Sequence, residues 1–164
     1  MAEIKRHSVA ERPEILEGRV KNAVARLLSQ RLIVPKIYFD AHWPTRATHV
    51  DVLAVDRSGA GEIHVVQVVA NGHPLPAALR NLMRIPAHYK YLAGFGSALG
   101  PDKRFYAPDG LGRIGTISLL RRNPGDMLEG EVLVEPERFR VPSNLYQEID
   151  RYVEKHAPDI AIRA

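Results

Sequence analysis

The chain has 164 residues, no cysteine, and 23 Lys+Arg against 19 Asp+Glu, for a formal net charge of +4. That size suits one compact domain, and the missing cysteine excludes disulfide scaffolds and cysteine-ligated zinc or iron–sulfur centres. No apolar run approaches the roughly 20 residues of a membrane-crossing helix, and the opening MAEIKRHSVAERPE has charges with no apolar stretch behind them, so neither a membrane span nor a secretory signal is expected and the cytoplasm is the expected compartment.

Residues 1–12 read as a flexible arm and residues 13–164 as a single domain. Pro13 suits a first helical turn. Ile15, Leu16, Val20, Ala23, Val24, Leu27 and Leu28 then recur at helical spacing as far as Arg31. Pro35 closes that helix and opens a strand over 36–39. A polar turn at 41–46 leads to a second strand, 48–56. Arg57 to Gly61, with two glycines, reads as a hairpin connection into a third strand, 62–69. The third strand is apolar on both faces toward its end, the mark of a covered central strand. After a Gly/Pro-rich link, residues 77–94 read as a second helix interrupted at Pro86. Strands follow at 103–107, 113–120 and 131–135, and Ser143 caps a closing amphipathic helix, 143–156. The order α-β-β-β-α-β-β-β-α predicts an α/β domain: a mixed central sheet flanked by helices, with the first helix on one face and the second on the other. The third and fourth strands, joined through a helix, are expected to run parallel.

Polar residues interrupt this apolar pattern at a few places. On the second strand His49, Asp51, Leu53 and Val55 share a face, and on the third Val65, Gln67 and Val69 do. An acid and a glutamine among apolar neighbours need partners. Asp51 and Gln67 are therefore expected side by side on adjacent strands, with His49 beside Asp51 and Glu17 approaching from the first helix. Lys21 lies one helical turn after Glu17, on the same face. His42 and Trp43 read as surface packing in a turn; the alternative is a groove wall made by Trp43, Arg46 and His49. His64 is expected to face a covering helix or solvent.

The helix, the three-strand meander, the following helix and strand, and Asp51 at the start of the second strand resemble the PD-(D/E)xK nuclease superfamily, the restriction-endonuclease-like fold, over roughly residues 13–108. In that family two carboxylates hold a divalent cation through hard oxygen ligands, and a lysine two residues after the second acid helps prepare the attacking water. The resemblance implies Asp51 as the first acid, Gln67 in the place of the second, Val69 where the lysine belongs, and Glu17 as the acid of the first helix. The helix after the third strand would run from Arg80 to Leu92, with Tyr89 and Lys90 at the site edge or in solvent. Glutamine still offers a carbonyl oxygen, whereas valine offers the water nothing, so Lys21 is the substitute by position and Lys90 the second choice. The implied catalytic set is Asp51, Gln67, Glu17 and Lys21. The implied metal ligands are Asp51, Glu17 and Gln67, around a weakly held Mg²⁺.

Charge is unevenly distributed. Residues 1–122 carry 18 Lys+Arg against 10 Asp+Glu, and the remainder carry 5 against 9. A basic body suits phosphate contact without base readout. The expected function is that of a nuclease-like protein with a degraded site, in a non-catalytic nucleic-acid-binding or scaffolding role in DNA metabolism. The alternatives are an active Mg²⁺-dependent nuclease with a migrated lysine, or a protein-interaction module without nucleic acid. Expected partners are DNA, through its phosphates, and a second copy or another protein, with no membrane. No P-loop, dinucleotide-binding glycine motif or serine-nucleophile elbow is present.

Overall fold

The computed structural model describes residues 13–42, 49–70, 74–101, 104–107, 112–122, 127–156 and 160–163. Helix α1 (Pro13–Arg31) leads into β1 (Pro35–His42), β2 (His49–Asp56) and β3 (Glu62–Val68). After α2 (Leu75–Met83) come β4 (Tyr89–Phe95), a 3₁₀ turn at Gly96–Leu99, the two-residue β5 (Phe105–Tyr106), β6 (Arg113–Arg122) and β7 (Met127–Val134). Helix α3 (Leu145–His156) and β8 (Ile160–Arg163) complete the described elements. One mixed sheet runs β5-β6-β4-β3-β2-β1-β8, and β7 also pairs with β6. The β1–β2–β3 meander is antiparallel, while β3, β4 and β6 are mutually parallel.

This is a mixed α/β fold with helices on both faces. Val20, Ala23, Val24 and Leu28 of α1 pack on Val52, Ala54, Val66, Val68, Ala93 and Ile117. On the opposite face Ala78 and Leu82 of α2, with Leu145, Ile149 and Val153 of α3, cover Leu53, Val55, Ile63, Val65 and Leu92. β3 lies between two strands and under helices on both faces, which is why only Glu62 of its seven residues is not fully buried. The tip of the β2–β3 hairpin sits beneath α3. Gly61 adopts φ +88°, and a Cβ there would meet the Tyr146 ring at 2.5 Å, so glycine is required both by conformation and by the close approach. Arg57 reaches Asp150 at 2.9 Å and also Glu154, while Lys36 pairs with Glu154, which ties α3 to the meander.

The expected helix over 77–94 is not what forms. The helix ends at Met83, where the Arg84 and Ile85 N–H groups turn back to Asn81 and Leu82 carbonyls. Pro86 has no N–H to continue the ladder and disfavours helical backbone in Ile85. Tyr89 to Phe95 is instead β4, parallel to β3 and paired on its other side with β6. A strand covered on both faces shows no alternation, so Tyr91, Leu92 and Ala87 mimicked helical spacing. The expected strand at 103–107 reduces to Phe105–Tyr106 at the sheet edge, with residue 103 outside the described residues. β1 and β7 are longer than the sequence indicated, and β8, which pairs with β1, was not anticipated. The arm at 1–12, Trp43, Arg46 and Thr48 lie outside the described residues.

Candidate functional site

Backbone pairing between β2 and β3 runs from Asp56 opposite Glu62 down to Val52 opposite Val66. Beyond that pair, side chains replace the ladder. The Asp51 N–H donates to Gln67 Oε1 at 2.9 Å, and Gln67 Nε2 donates to the His49 carbonyl at 2.8 Å. The Val68 N–H donates to Asp51 Oδ2 at 2.7 Å. An N–H at one end and a C=O at the other fix which way the Gln67 amide points. Asp51 and Gln67 are 4 % and 2 % exposed, so these bonds satisfy backbone groups that water scarcely reaches. Asp51 and Gln67 are thus neighbours on adjacent strands, as the sequence led one to expect.

The remaining charges converge on the same rim. Asp40 of β1 stands across from Asp51, between the register pairs Phe39–Val52 and Ala41–Val50. Its backbone has φ +54°, a left-handed conformation that Asp tolerates better than most residues. Two carboxylates directly opposite on paired strands repel unless a cation intervenes. Here His49 intervenes, and Lys21 balances Asp40 from α1. His49 Nε2 lies 3.0 Å from Asp51 Oδ1 and 3.1 Å from Asp40 Oδ1. Lys21 Nζ lies 2.6 Å from Asp40 Oδ1 and 2.9 Å from Glu17 Oε2. The hydrogen bond to Asp51 raises the His49 pKa above its ordinary value despite partial burial. Burial works against the Lys21 charge, but hydrogen bonds to Asp40 and Glu17 outweigh it and its pKa is raised.

A small cleft opens beside this rim, lined by His49, Asp51, Gln67, Val68, Ala78 and Asn81, with room for about one water. Among the described residues, the carboxylates and imidazole that converge within 4.8 Å here are those of Asp40, His49 and Asp51. Glu17, expected as a metal ligand, is not in that group; it pairs with Lys21. Lys21 does reach the site from α1. Lys90 does not: it is buried on β4, with its ammonium 4.8 Å from the centre of the Phe139 ring. Val69, where the nuclease resemblance would call for a lysine, is packed in the apolar cluster under α2 and α3. Asp40 was missed. The only signal for it was an acid directly after the strand residues Ile37, Tyr38 and Phe39, and the connection at 43–48 hid the register that sets it against Asp51.

The chain matches no protein-family model and no curated protein. A solved structure described as a protein of unknown function from Silicibacter pomeroyi superposes on it with a TM-score of 0.53, at 15 % identity, over 87 % of this chain and 84 % of that one. At such identity the likeness is one of fold. No helix among the described residues is long and apolar enough to cross a membrane.

Proposed function

We propose that this protein is a divergent, nuclease-like domain of the PD-(D/E)xK type whose site does not hydrolyse phosphodiesters, and that it serves nucleic-acid binding or scaffolding in DNA metabolism in the cytoplasm. The observation that carries the proposal is the position of His49. Its ring nitrogen stands between Asp40 and Asp51, where a bridging cation would sit, and its raised pKa favours the charged imidazolium. The carboxylates are balanced from within the chain. Magnesium would have to displace that cation, and it holds its six oxygen ligands in tight octahedral order. One oxygen of Asp51 is already committed to the Val68 N–H, and Glu17 to Lys21.

Nucleic acid has a suitable approach beside the cleft. Arg80, on α2, and Arg84, the residue that caps its C-terminus, are exposed one turn apart, and the same helix supplies Ala78 and Asn81 to the cleft wall. Cations in this arrangement contact phosphate and carry no sequence information.

A second reading is supported by Lys21. A lysine beside the Asp51 cluster, arriving from the first helix, has the position of a migrated catalytic lysine. On that reading Asp51 and Asp40 would hold a divalent ion with neutral His49 as a nitrogen ligand, and the ion would supply Lewis-acid stabilisation of phosphoryl charge. Lys21 would stand next to the reacting water.

One experiment separates the two readings: cleavage of labelled single- and double-stranded DNA with Mg²⁺ or Mn²⁺, alongside binding over a salt series, for the parent chain, Asp51→Ala and Arg80→Ala/Arg84→Ala. The expected result is no turnover, salt-dependent binding that survives Asp51→Ala, and a salt slope reduced by about 2 in the double arginine variant. Robust turnover lost in Asp51→Ala would replace the first reading with the second. Absence of salt-dependent binding would remove nucleic acid as the partner and leave a protein-interaction role.

A further inference from the structure

The opposite end of the β2–β3 hairpin holds another convergence of ligand atoms, which the proposed function does not use. Asp56 ends β2, and its register partner Glu62 opens β3. His64 follows two residues later, so the pleat sets Glu62 and His64 on one face. One ligand atom from each of the three lies within 4.8 Å of the others. Here the two opposed carboxylates have no imidazolium between them. His64 is 4 % exposed, and its Nε2 has no hydrogen-bond partner while standing 4.0 Å from Glu62 Oε1. A buried ring nitrogen left in that state is costly. The ring is also held in place: Nδ1 lies 3.4 Å from the Tyr91 hydroxyl, and Tyr89 stacks on the imidazole at 4.7 Å.

We propose that Asp56, Glu62 and His64 form a binding site for a divalent transition ion of the zinc type. One imidazole nitrogen and two carboxylate oxygens are a donor set that zinc accepts with its fourth position open to water. Tetrahedral ligands about 2.0–2.1 Å from zinc stand roughly 3.4 Å apart, so the 4.0 Å gap between His64 and Glu62 needs to contract by well under 1 Å. Burial holds His64 neutral, its pKa pushed down to about 4, so its lone pair is available at neutral pH. In the tautomer whose Nδ1–H donates to the Tyr91 oxygen, 3.4 Å away, that lone pair is on Nε2. The Val34 and Ser58 N–H groups donate to Asp56 Oδ1 and orient its carboxylate. Arg138 Nε takes Glu62 Oε2 at 3.2 Å, which leaves Oε1 on the side of His64. Glu62, with its side chain 34 % exposed, provides the route in from solvent.

The test uses Zn²⁺ alone on the full chain. Asp51→Asn serves as the background, so that the Asp40–His49–Asp51 cluster does not compete. Affinity is read by competition with a chromogenic chelator, and the ligand by long-range ¹⁵N–¹H spectra of the histidine rings. The expected result is one Zn²⁺ per chain, a shift of the His64 Nε2 resonance on metal addition, and at least a tenfold loss of affinity in Glu62→Gln, whose partly exposed side chain the fold tolerates. A His64 ring untouched by Zn²⁺, or unchanged affinity in Glu62→Gln, would overturn the proposal. Neither result bears on the nucleic-acid reading, which rests on other residues.

Discussion

The two ends of the β2–β3 hairpin are built from the same residue types and solve opposite problems. At the tip the backbones pair fully, Asp56 opposite Glu62, and His64 is sealed beneath Tyr89. At the other end the backbone ladder stops at Val52 and Val66, and Asp51 and Gln67 close the gap with their side chains. His49 there is partly exposed, lies 3.0 Å and 3.1 Å from two acids, and has its pKa raised by the hydrogen bond to Asp51. His64 is buried and neutral although acids stand nearby. Contact decides the difference. A carboxylate at hydrogen-bond distance outweighs partial desolvation and raises the His49 pKa, whereas carboxylates that do not touch His64 fail to offset its burial.

Breaking the side-chain closure should have the largest effect. Gln67→Leu matches the volume but leaves the Asp51 N–H and the His49 carbonyl without their partners. At about 1–3 kcal/mol for each orphaned group, a loss of about 4 kcal/mol is expected in urea unfolding; a loss below about 1 kcal/mol would mean that β2 and β3 close the gap by themselves.

Acid should act next, and on the other end. His64 has a folded pKa of about 4 against about 6.5 unfolded, so its contribution is complete above pH 6.5 and is lost as pH falls toward 4. That window is worth roughly 3 kcal/mol. In a pH series, His64→Phe, if it folds, should flatten this part of the stability curve. A curve that keeps its slope would assign the acid sensitivity to other groups.

The smallest effect belongs to His49. Its folded pKa is raised, so its contribution is complete below pH 6.5 and fades as pH rises through the folded value. The side chain is 38 % exposed, and solvent screening limits the effect to under about 1 kcal/mol. His49→Ala should therefore cost little, and most of that cost should vanish in alkaline buffer. A cost that is independent of pH would point to packing in place of charge.

How much of this was legible in the sequence varied with the kind of signal. Helix α1, the meander and the buried β3 could be read, because Val20, Val24 and Leu28 keep helical spacing and four valines between 65 and 69, broken by Gln67 alone, form a short run between turn residues. Asp51 and Gln67 could be paired because polar residues in such strands have to find each other. Lys21 could be placed near the site through its spacing from Glu17. β4 could not be read, since a strand covered on both faces loses its alternation. Nor could Asp40 be assigned, because its role depends on the register between β1 and β2, which no pattern in the residues around Asp40 announces. Glu17 was the converse case: its helix and face were correct, but its carboxylate pairs with Lys21, which bridges it to Asp40 and not to Asp51.

The far edge of the sheet bears on self-association. Among the described strands β7 pairs with β6 alone, so it is a strand at the margin of the sheet, where the Leu128 carbonyl accepts from Arg26 Nη2 at 2.8 Å. Met127, Glu129, Glu131 and Leu133 alternate on its exposed face. The two methyl-rich residues favour adhesion, and the two carboxylates between them oppose it. A second copy docking edge to edge in antiparallel register would bring glutamates against glutamates, which makes ionic strength and acidity the conditions that govern whether concentrated solutions stay dispersed. Dimers that form in spite of this repulsion should grow with salt and dissolve on dilution into low-salt buffer.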